Sequence, residues 1–339
     1  MKLIKTTSCM ALAGAVALAA TAWTASTAAA QAKKKEVTIS VISGPFGTAT
    51  FVLSNTLEQI SKKTHPWLRI VASETPGYLF NIKKLDAEPA LRKTMVIGTG
   101  PALLGLATTG SKPFDKKYRG VKLLANMSVV AVWLATLDDK IKSAKDVAGK
   151  RVALGKAAQI NWGVLPRAVM EQGWGIKASV QYLGPKPAVS ALLDRKADVA
   201  IIGGYIDLSK SKLALAPPTL ELVSTGRKLH HLAFEKAAVE KTIAKGYKIA
   251  PFVVPKGAFK ELDVAVPTFI DTSSWAADES FPEELAYEIT KMIITHVGKF
   301  GEAHAIGKLM SPQSLVFGWK PEDIHPGALR AYKEAGIIK

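Results

Sequence analysis

Residues 37–57 read VTISVISGPFGTATFVLSNTL, a β-branched run, a glycine-bearing loop and a stretch of helical periodicity. Val37 to Ile42 has the residue types of a buried strand, and Phe51, Leu53, Leu57 and Ile60 recur at helical spacing after the loop Ser43-Gly44-Pro45-Phe46-Gly47. Strand, glycine loop, helix is the opening of a βαβ unit. The rhythm recurs downstream. Trp67 to Ser73 reads as a strand, Thr75-Pro76-Gly77-Tyr78 as a turn, Leu79 to Leu85 as a helix start and Met95 to Gly98 as a short buried strand. Such alternation implies an α/β architecture with a largely parallel sheet.

The pattern restarts after the apolar strand Val129 to Thr136. Arg151 to Leu154 opens another unit, with Gly155 to Asn161 as its loop and a helix expected from Trp162 to Gln172, Pro166 near its first turn and Gly173 at its end. Val180 to Leu183, a helix from Ala188 to Arg195, and Asp198 to Ile202 follow, closing on the pair Gly203-Gly204. Ile249 to Val254 and Val264 to Ile270 read as strands that carry the chain back. Ser280 and Glu283 have capping-box spacing, with Pro282 in the first turn and Leu285, Ile289, Met292 and Ile293 on one face of a helix reaching about Gly298. Two similar lobes are expected, one from residues 33–128 with a return over 277–339, the other from residues 129–276.

Residues 1–32 have the form of a secretory signal peptide: Lys2 and Lys5, an apolar run from Cys9 to Ala22, then small residues. Ala30-Gln31-Ala32 before Lys33 suits cleavage, with Ala28-Ala29-Ala30 as the alternative, so the mature protein is expected in the periplasm. The apolar run is shorter than the roughly 20 residues of a spanning helix. Cys9 is the single cysteine, which excludes disulfides, thiolate metal sites and cysteine nucleophiles from the mature chain. Lysine and arginine total 45 against 28 acidic residues, for a net charge of +17. The cations are scattered, only Lys33-Lys34-Lys35 forms a run, and no aromatic-basic motif accompanies them, which argues against a nucleic-acid partner.

Ligands of open α/β sheets bind beyond the carboxyl ends of the strands, where free N–H groups at helix starts attract anions. This directs attention to three loops. The candidate ligand-binding residues are Ser43, Gly44, Phe46, Gly47, Thr48 and Thr50 in the first, Thr75, Gly77, Tyr78 and Asn81 in the second, and Lys156, Gln159, Asn161 and Trp162 in the third, joined by Gly203 and Gly204. Gly98-Thr99-Gly100 has a dinucleotide-loop beginning, but Pro101 and the position of Gly105 break the spacing. His230, His231 and Glu235, or His296 and His304, lack a recognised zinc spacing. No G-x-S-x-G elbow, H-E-x-x-H helix or P-loop occurs, so no metal, cofactor or catalytic residue is assigned and a binding protein is favoured over an enzyme.

His325-Pro326-Gly327-Ala328-Leu329-Arg330-Ala331-Tyr332-Lys333-Glu334-Ala335-Gly336-Ile337 resembles the C-terminal pattern of the TAXI family, the extracytoplasmic solute receptors of one branch of TRAP transporters. Lys145 to Gly155 is similar to a stretch shared more widely among two-lobed binding proteins. The resemblance implies a type II periplasmic-binding-protein (Venus flytrap) fold, a monomer, and TRAP-type permease subunits as membrane partners. A free-standing periplasmic sensor of the same fold is the alternative. The loops depart from the family. Ser43 to Thr50 keeps the frame of a Thr-Gly-Pro-Thr-Gly-Gly-Thr-Tyr loop, the second loop has Tyr78 and Phe80 at positions of a small hydroxyl and a carboxylate, and Gly155 to Ile160 replaces a Gly-Ala-Pro-Gly-Ser-Gly stretch. The expected ligand is therefore a small organic anion with an apolar or aromatic body, its carboxylate held by Lys156, Gln159 and Asn161 against Phe46, Tyr78, Phe80 and Trp162.

Overall fold

Two long strands organise the molecule: β4 (Val121–Thr136) and β11 (Val266–Asp278) pair antiparallel from Val121↔Asp278 to Val132↔Phe269. The computed structural model describes residues 35–46, 48–157, 159–210 and 212–339. The expected signal peptide at residues 1–32 and Gly47 lie outside them. Around the two long strands run β1 (Val37–Ile42), β2 (Leu68–Ser73), β3 (Met95–Thr99), β5 (Arg151–Leu154), β6 (Ser179–Tyr182), β7 (Val199–Asp207), β8 (Lys212–Leu215), β9 (His230–Leu232) and β10 (Ala250–Val254). The sheet order is β2-β1-β3-β11-β4-β7-β5-β6, with β8, β9 and β10 on side branches. The sheet is mixed rather than largely parallel. β1 with β3, and β5 with β6 and β7, are parallel pairs, whereas β11 runs antiparallel to β3 and β4, and β4 to β7.

The helices are α1 (Ala49–Thr64), α2 (Tyr78–Ala87), α3 (Pro101–Thr109), α4 (Ala144–Val147), α5 (Leu165–Ala168), α6 (Pro185–Leu193), α7 (Pro217–Ser224), α8 (Lys236–Ala244), α9 (Glu283–Thr295), α10 (Lys299–Ala303) and α11 (Pro326–Glu334). Burial divides the apolar residues into separate cores. One gathers Val129 to Ala135 with Leu154, Val199, Phe234 and Phe269; another gathers Ile42, Ile82, Ile97, Leu103 and Phe114 with Ala276. β4 and β11 enter both halves. The register of β11 against β4 shifts between Ser273 and Ser274 and again between Trp275 and Ala276, between the two cores. Such bulges bend a strand and sharpen its twist.

Three expectations are corrected by local chemistry. Ser280 and Glu283 form no capping box: Pro282 is itself the N-cap of α9, and Ser280 Oγ donates to Asp278 Oδ1 at 2.6 Å. A capping box forms instead at Ser143 and Asp146 of α4. The helix expected after the third loop spans α5 with π-helical turns on either side, Ile160–Val164 and Val169–Trp174, so Pro166 lies in its middle. Wider turns accommodate a residue with no N–H to offer. Its end is capped by Gly175 at φ 72°, not by Gly173, which packs against the Ala238 carbonyl.

Candidate functional site

The first two loops are tied together from beneath. β1 and β3 run side by side to Ile42↔Ile97, which brings Ser43 and Gly98 abreast. Asn81, in the first turn of α2 and fully buried, donates through Nδ2 to the Ser43 carbonyl at 2.6 Å and to the Gly98 carbonyl at 2.9 Å. Thr75 Oγ1 donates to the same Ser43 carbonyl at 3.1 Å, and the N–H of Thr75 to the Gly44 carbonyl at 3.2 Å. Thr75 and Asn81 therefore shape the first loop. Thr48 caps α1, its Oγ1 accepting from Phe51 N–H and lying 3.2 Å from Thr50 Oγ1. Gly77 caps α2 with no side chain, so the N–H groups of its first turn have no capping acceptor.

Tyr78 joins these loops to the long strand. Its hydroxyl faces the hydroxyls of Thr50 and of Ser273 on β11, with Asp271 and Tyr205 close enough to act on it electrostatically. Burial is the main cause that pushes the phenol up to about 12, and the Asp271 charge adds to it. Asp271 is buried too, and its carboxyl is raised to about 7 by desolvation, against the N–H groups of Ala102 and Thr272 that favour the charged form. The Ala102 N–H, at the start of α3, donates to Asp271 Oδ1 at 3.2 Å.

The third loop is largely self-satisfied. Lys156 N–H donates to Gln159 Oε1 at 2.8 Å and Gln159 N–H to the Lys156 carbonyl at 2.9 Å, so the Gln159 amide caps its own loop. Gly155 N–H donates to the Trp162 carbonyl at 2.7 Å, and a Cβ on Gly155 would stand 2.5 Å from Trp162 Cβ, which confines this position to glycine. Lys156 is exposed, Trp162 half-buried against the core around Leu154, and Asn161 keeps a buried Oδ1 without a hydrogen bond.

Some expected residues are elsewhere. Phe46 is 78% exposed and stacks, tilted, on Phe51 at 5.4 Å, and Phe80 is 43% exposed, so the two do not build an enclosed aromatic wall. Gly203 and Gly204 are not a flexible loop. They lie within β7, opposite Val132 and Ala131, and their lack of Cβ lets the carbonyls of Ala131 and Ala214 close in. Conversely, Asp271, Ser273 and Tyr205 carry no sequence motif, yet they lie against Tyr78. The signal for two of them was Asp271-Thr272-Ser273-Ser274, a polar run continuing an apolar strand, which has no reason to be buried unless it meets polar partners.

Five buried side-chain polar atoms lack a hydrogen bond among the described residues: Ser43 Oγ, Asn81 Oδ1, Thr99 Oγ1, Asn161 Oδ1 and His325 Nε2. All but the last belong to the ends of β1 and β3, the start of α2 or the third loop. Among the described residues no group of three His, Cys, Asp or Glu side chains could hold a metal ion.

A sheet whose halves share two crossing strands, with loops gathered at strand ends, defines the two-lobed periplasmic-binding-protein fold. A TctC solute-binding protein from Polaromonas superposes with TM-score 0.51 at 15% identity, over 89% of this chain and 98% of that one. The chain belongs to the NMT1-like family, whose profile matches residues 41–336. It is also similar to the periplasmic binding protein BugD, with TM-score 0.45 at 15% identity over 89% of this chain and 94% of that one. MatC from Rhodopseudomonas palustris, described with bound malate, has TM-score 0.46 at 13% identity over 89% of this chain and 96% of that one.

Proposed function

We propose that the protein is a periplasmic solute receptor that captures a small organic anion where the Ser43–Thr50, Thr75–Asn81 and Gly155–Trp162 loops approach one another, and delivers it to a membrane permease. The lobes in this reading are residues 33–128 with 277–339 and residues 129–276, and the register shifts near Ser273 and Trp275 support a hinge there. One observation carries the site: the unpartnered buried atoms of Ser43, Asn81, Thr99 and Asn161. Folded proteins pair the large majority of such atoms, and those of Ser43, Asn81 and Thr99, gathered at the ends of β1 and β3, are suited to a polar ligand. The uncapped start of α2 adds donors for a carboxylate.

Of the aromatic residues, Tyr78 and Trp162 remain as walls for the ligand's apolar body, and exposed Phe46 and Phe80 are at most its rim. The resemblance of His325 to Ile337 supports a TRAP-type permease of the TAXI branch as the partner. The receptor works without covalent chemistry: a ligand that touches both lobes stabilises the closed form by its differential affinity for it. The test is native mass spectrometry of the purified protein for a co-purified small molecule, followed by thermal shifts with benzoate, phenylacetate, glutamate and 2-oxoglutarate. Aromatic carboxylates should raise the melting temperature most; the opposite ranking would overturn the aromatic body, and no anion effect with no bound mass would overturn the receptor.

A further inference from the structure

α3 is apolar along most of its length and carries a glycine in its middle, Gly105. A glycine inside a helix is less favourable than alanine, and Gly105 has helical angles that alanine also adopts, so its conformational freedom is not what is used. What is used is the missing side chain. A Cβ on Gly105 would stand 2.7 Å from the Gly246 carbonyl oxygen and 2.9 Å from Lys248 Cγ. Gly246, at φ 96° just past α8, turns the chain so that Lys248 comes against α3.

Two separate cores meet at this contact. α3 contributes Leu103 and Leu104 to the core of Ile42 and Ile97, whereas Ile249, next along from the turn, belongs to the core of Leu154 and Phe269. Tyr247 is half-buried and packs against both cores, and so does Ile160 of the third loop. Lys248 Nζ adds a pair to Asp323 Oδ1 of the C-terminal segment at 3.7 Å, in an exposed position where water and salt weaken it. Beside the contact the surfaces part: Leu104 and Thr108 of α3, with Ile243 and Ile249, line a groove of about 640 Å³. A contact this limited, between bodies that each have a core, can open without unpacking either.

We propose that the Tyr247–Lys248 turn seated on Gly105 is a clasp between the two lobes, which holds the third loop close to the first two before any ligand arrives. The proposal rests on the two-lobed receptor reading and names what regulates its cleft. The arrangement that closes Gly105 on Gly246 also brings Ile160 of the third loop against the core of the first lobe, so releasing the clasp moves the loops apart. A ligand binds the fraction of molecules already arranged for it, and the clasp raises affinity by enlarging that fraction.

The test is double electron–electron resonance between nitroxides at two exposed positions, Ala87→Cys in the first lobe and Lys186→Cys in the second, with Cys9→Ser leaving no other thiol. Without added ligand the otherwise wild-type pair should give one narrow distance distribution. Gly105→Leu wedges the turn off the helix, and Tyr247→Ala removes a side chain shared by both cores. Each should lengthen the mean distance by several ångströms and broaden it, with an unchanged circular dichroism spectrum. Unmoved distances in both variants overturn the clasp, and if Gly105→Leu does not fold, Tyr247→Ala decides alone. Native mass spectrometry on the same samples keeps the two readings apart: a bound anion with unmoved labels leaves the receptor and removes the clasp, and widened labels with no bound mass do the reverse.

Discussion

Asn81 serves the site by what it holds. Its two donated hydrogen bonds fix the carbonyls at the ends of neighbouring strands, and their geometry also fixes which way the amide points, leaving Oδ1 free. Asn81→Ala should therefore lower the denaturant midpoint, by about 1–3 kcal/mol of stability, as expected when a buried polar partner is removed. Asn161→Ala, which deletes an oxygen without a hydrogen bond, should cost less; equal losses in urea melts would show that Asn81 is not the tie. Asp271 adds a pH signature. Its folded carboxyl sits near 7 against an ordinary 3.8, so the stability from holding it neutral is complete below the unfolded value and lost as pH rises through about 7. Asp271→Asn keeps a neutral side chain at every pH. Its melting temperature relative to wild type should rise between about pH 5 and about pH 8 in calorimetry, and a difference flat in pH would contradict the burial argument.

The C-terminal helix shows why a sequence pattern can be conspicuous without being chemical. His325 caps α11, its Nδ1 accepting from Gly327 N–H at 3.3 Å, and Pro326 occupies the first turn, where a missing N–H is harmless. Gly327 lies against the Glu283 carbonyl of α9, and Tyr332 is buried with its hydroxyl donating to the Leu124 carbonyl at 2.7 Å. His325 and Pro326 start this helix, and Gly327 and Tyr332 seat it on α9 and β4. Gly327→Ala should thus lower the melting temperature markedly, by the roughly 1–3 kcal/mol of an overpacked contact or more. Gly298→Ala, at the N-cap of α10 with αR angles that alanine also adopts and with no neighbour near its Cβ, should cost much less; equal loss at both positions would point to glycine content rather than to packing. Strand and helix alternation was legible because burial imposes its period on the residues themselves. Asp271 to Ser274 was not, because whether a polar run in a strand is exposed or buried depends on what α3 and the second loop bring against it. Gly203 and Gly204 misled for a related reason: a glycine needed for close strand approach has the same sequence signature as one needed for a turn.

At the scale of the molecule, residues 38–339 form one compact unit even though their apolar cores are separate. β4 and β11 contribute side chains to both halves, so neither half can lose its strands without exposing the other's core. Calorimetry should accordingly show a single cooperative transition with matching calorimetric and van't Hoff enthalpies; two resolved transitions would mean that the halves are autonomous. The repeat of strand, loop and helix made two lobes readable, but not how they are joined, since antiparallel pairing between segments so far apart leaves no local mark.

That joining also sets the order in which the chain can fold. β3 and β4 acquire their shared neighbour only when β11 is present, and β11 meets β4 through partners as distant in sequence as Val121 and Asp278. Closing so long a loop is slow, and until it closes two strands present unpaired edges. A nascent chain that ends before residue 266 therefore lacks the strand between them, which keeps the sheet unfinished until β11 has been made.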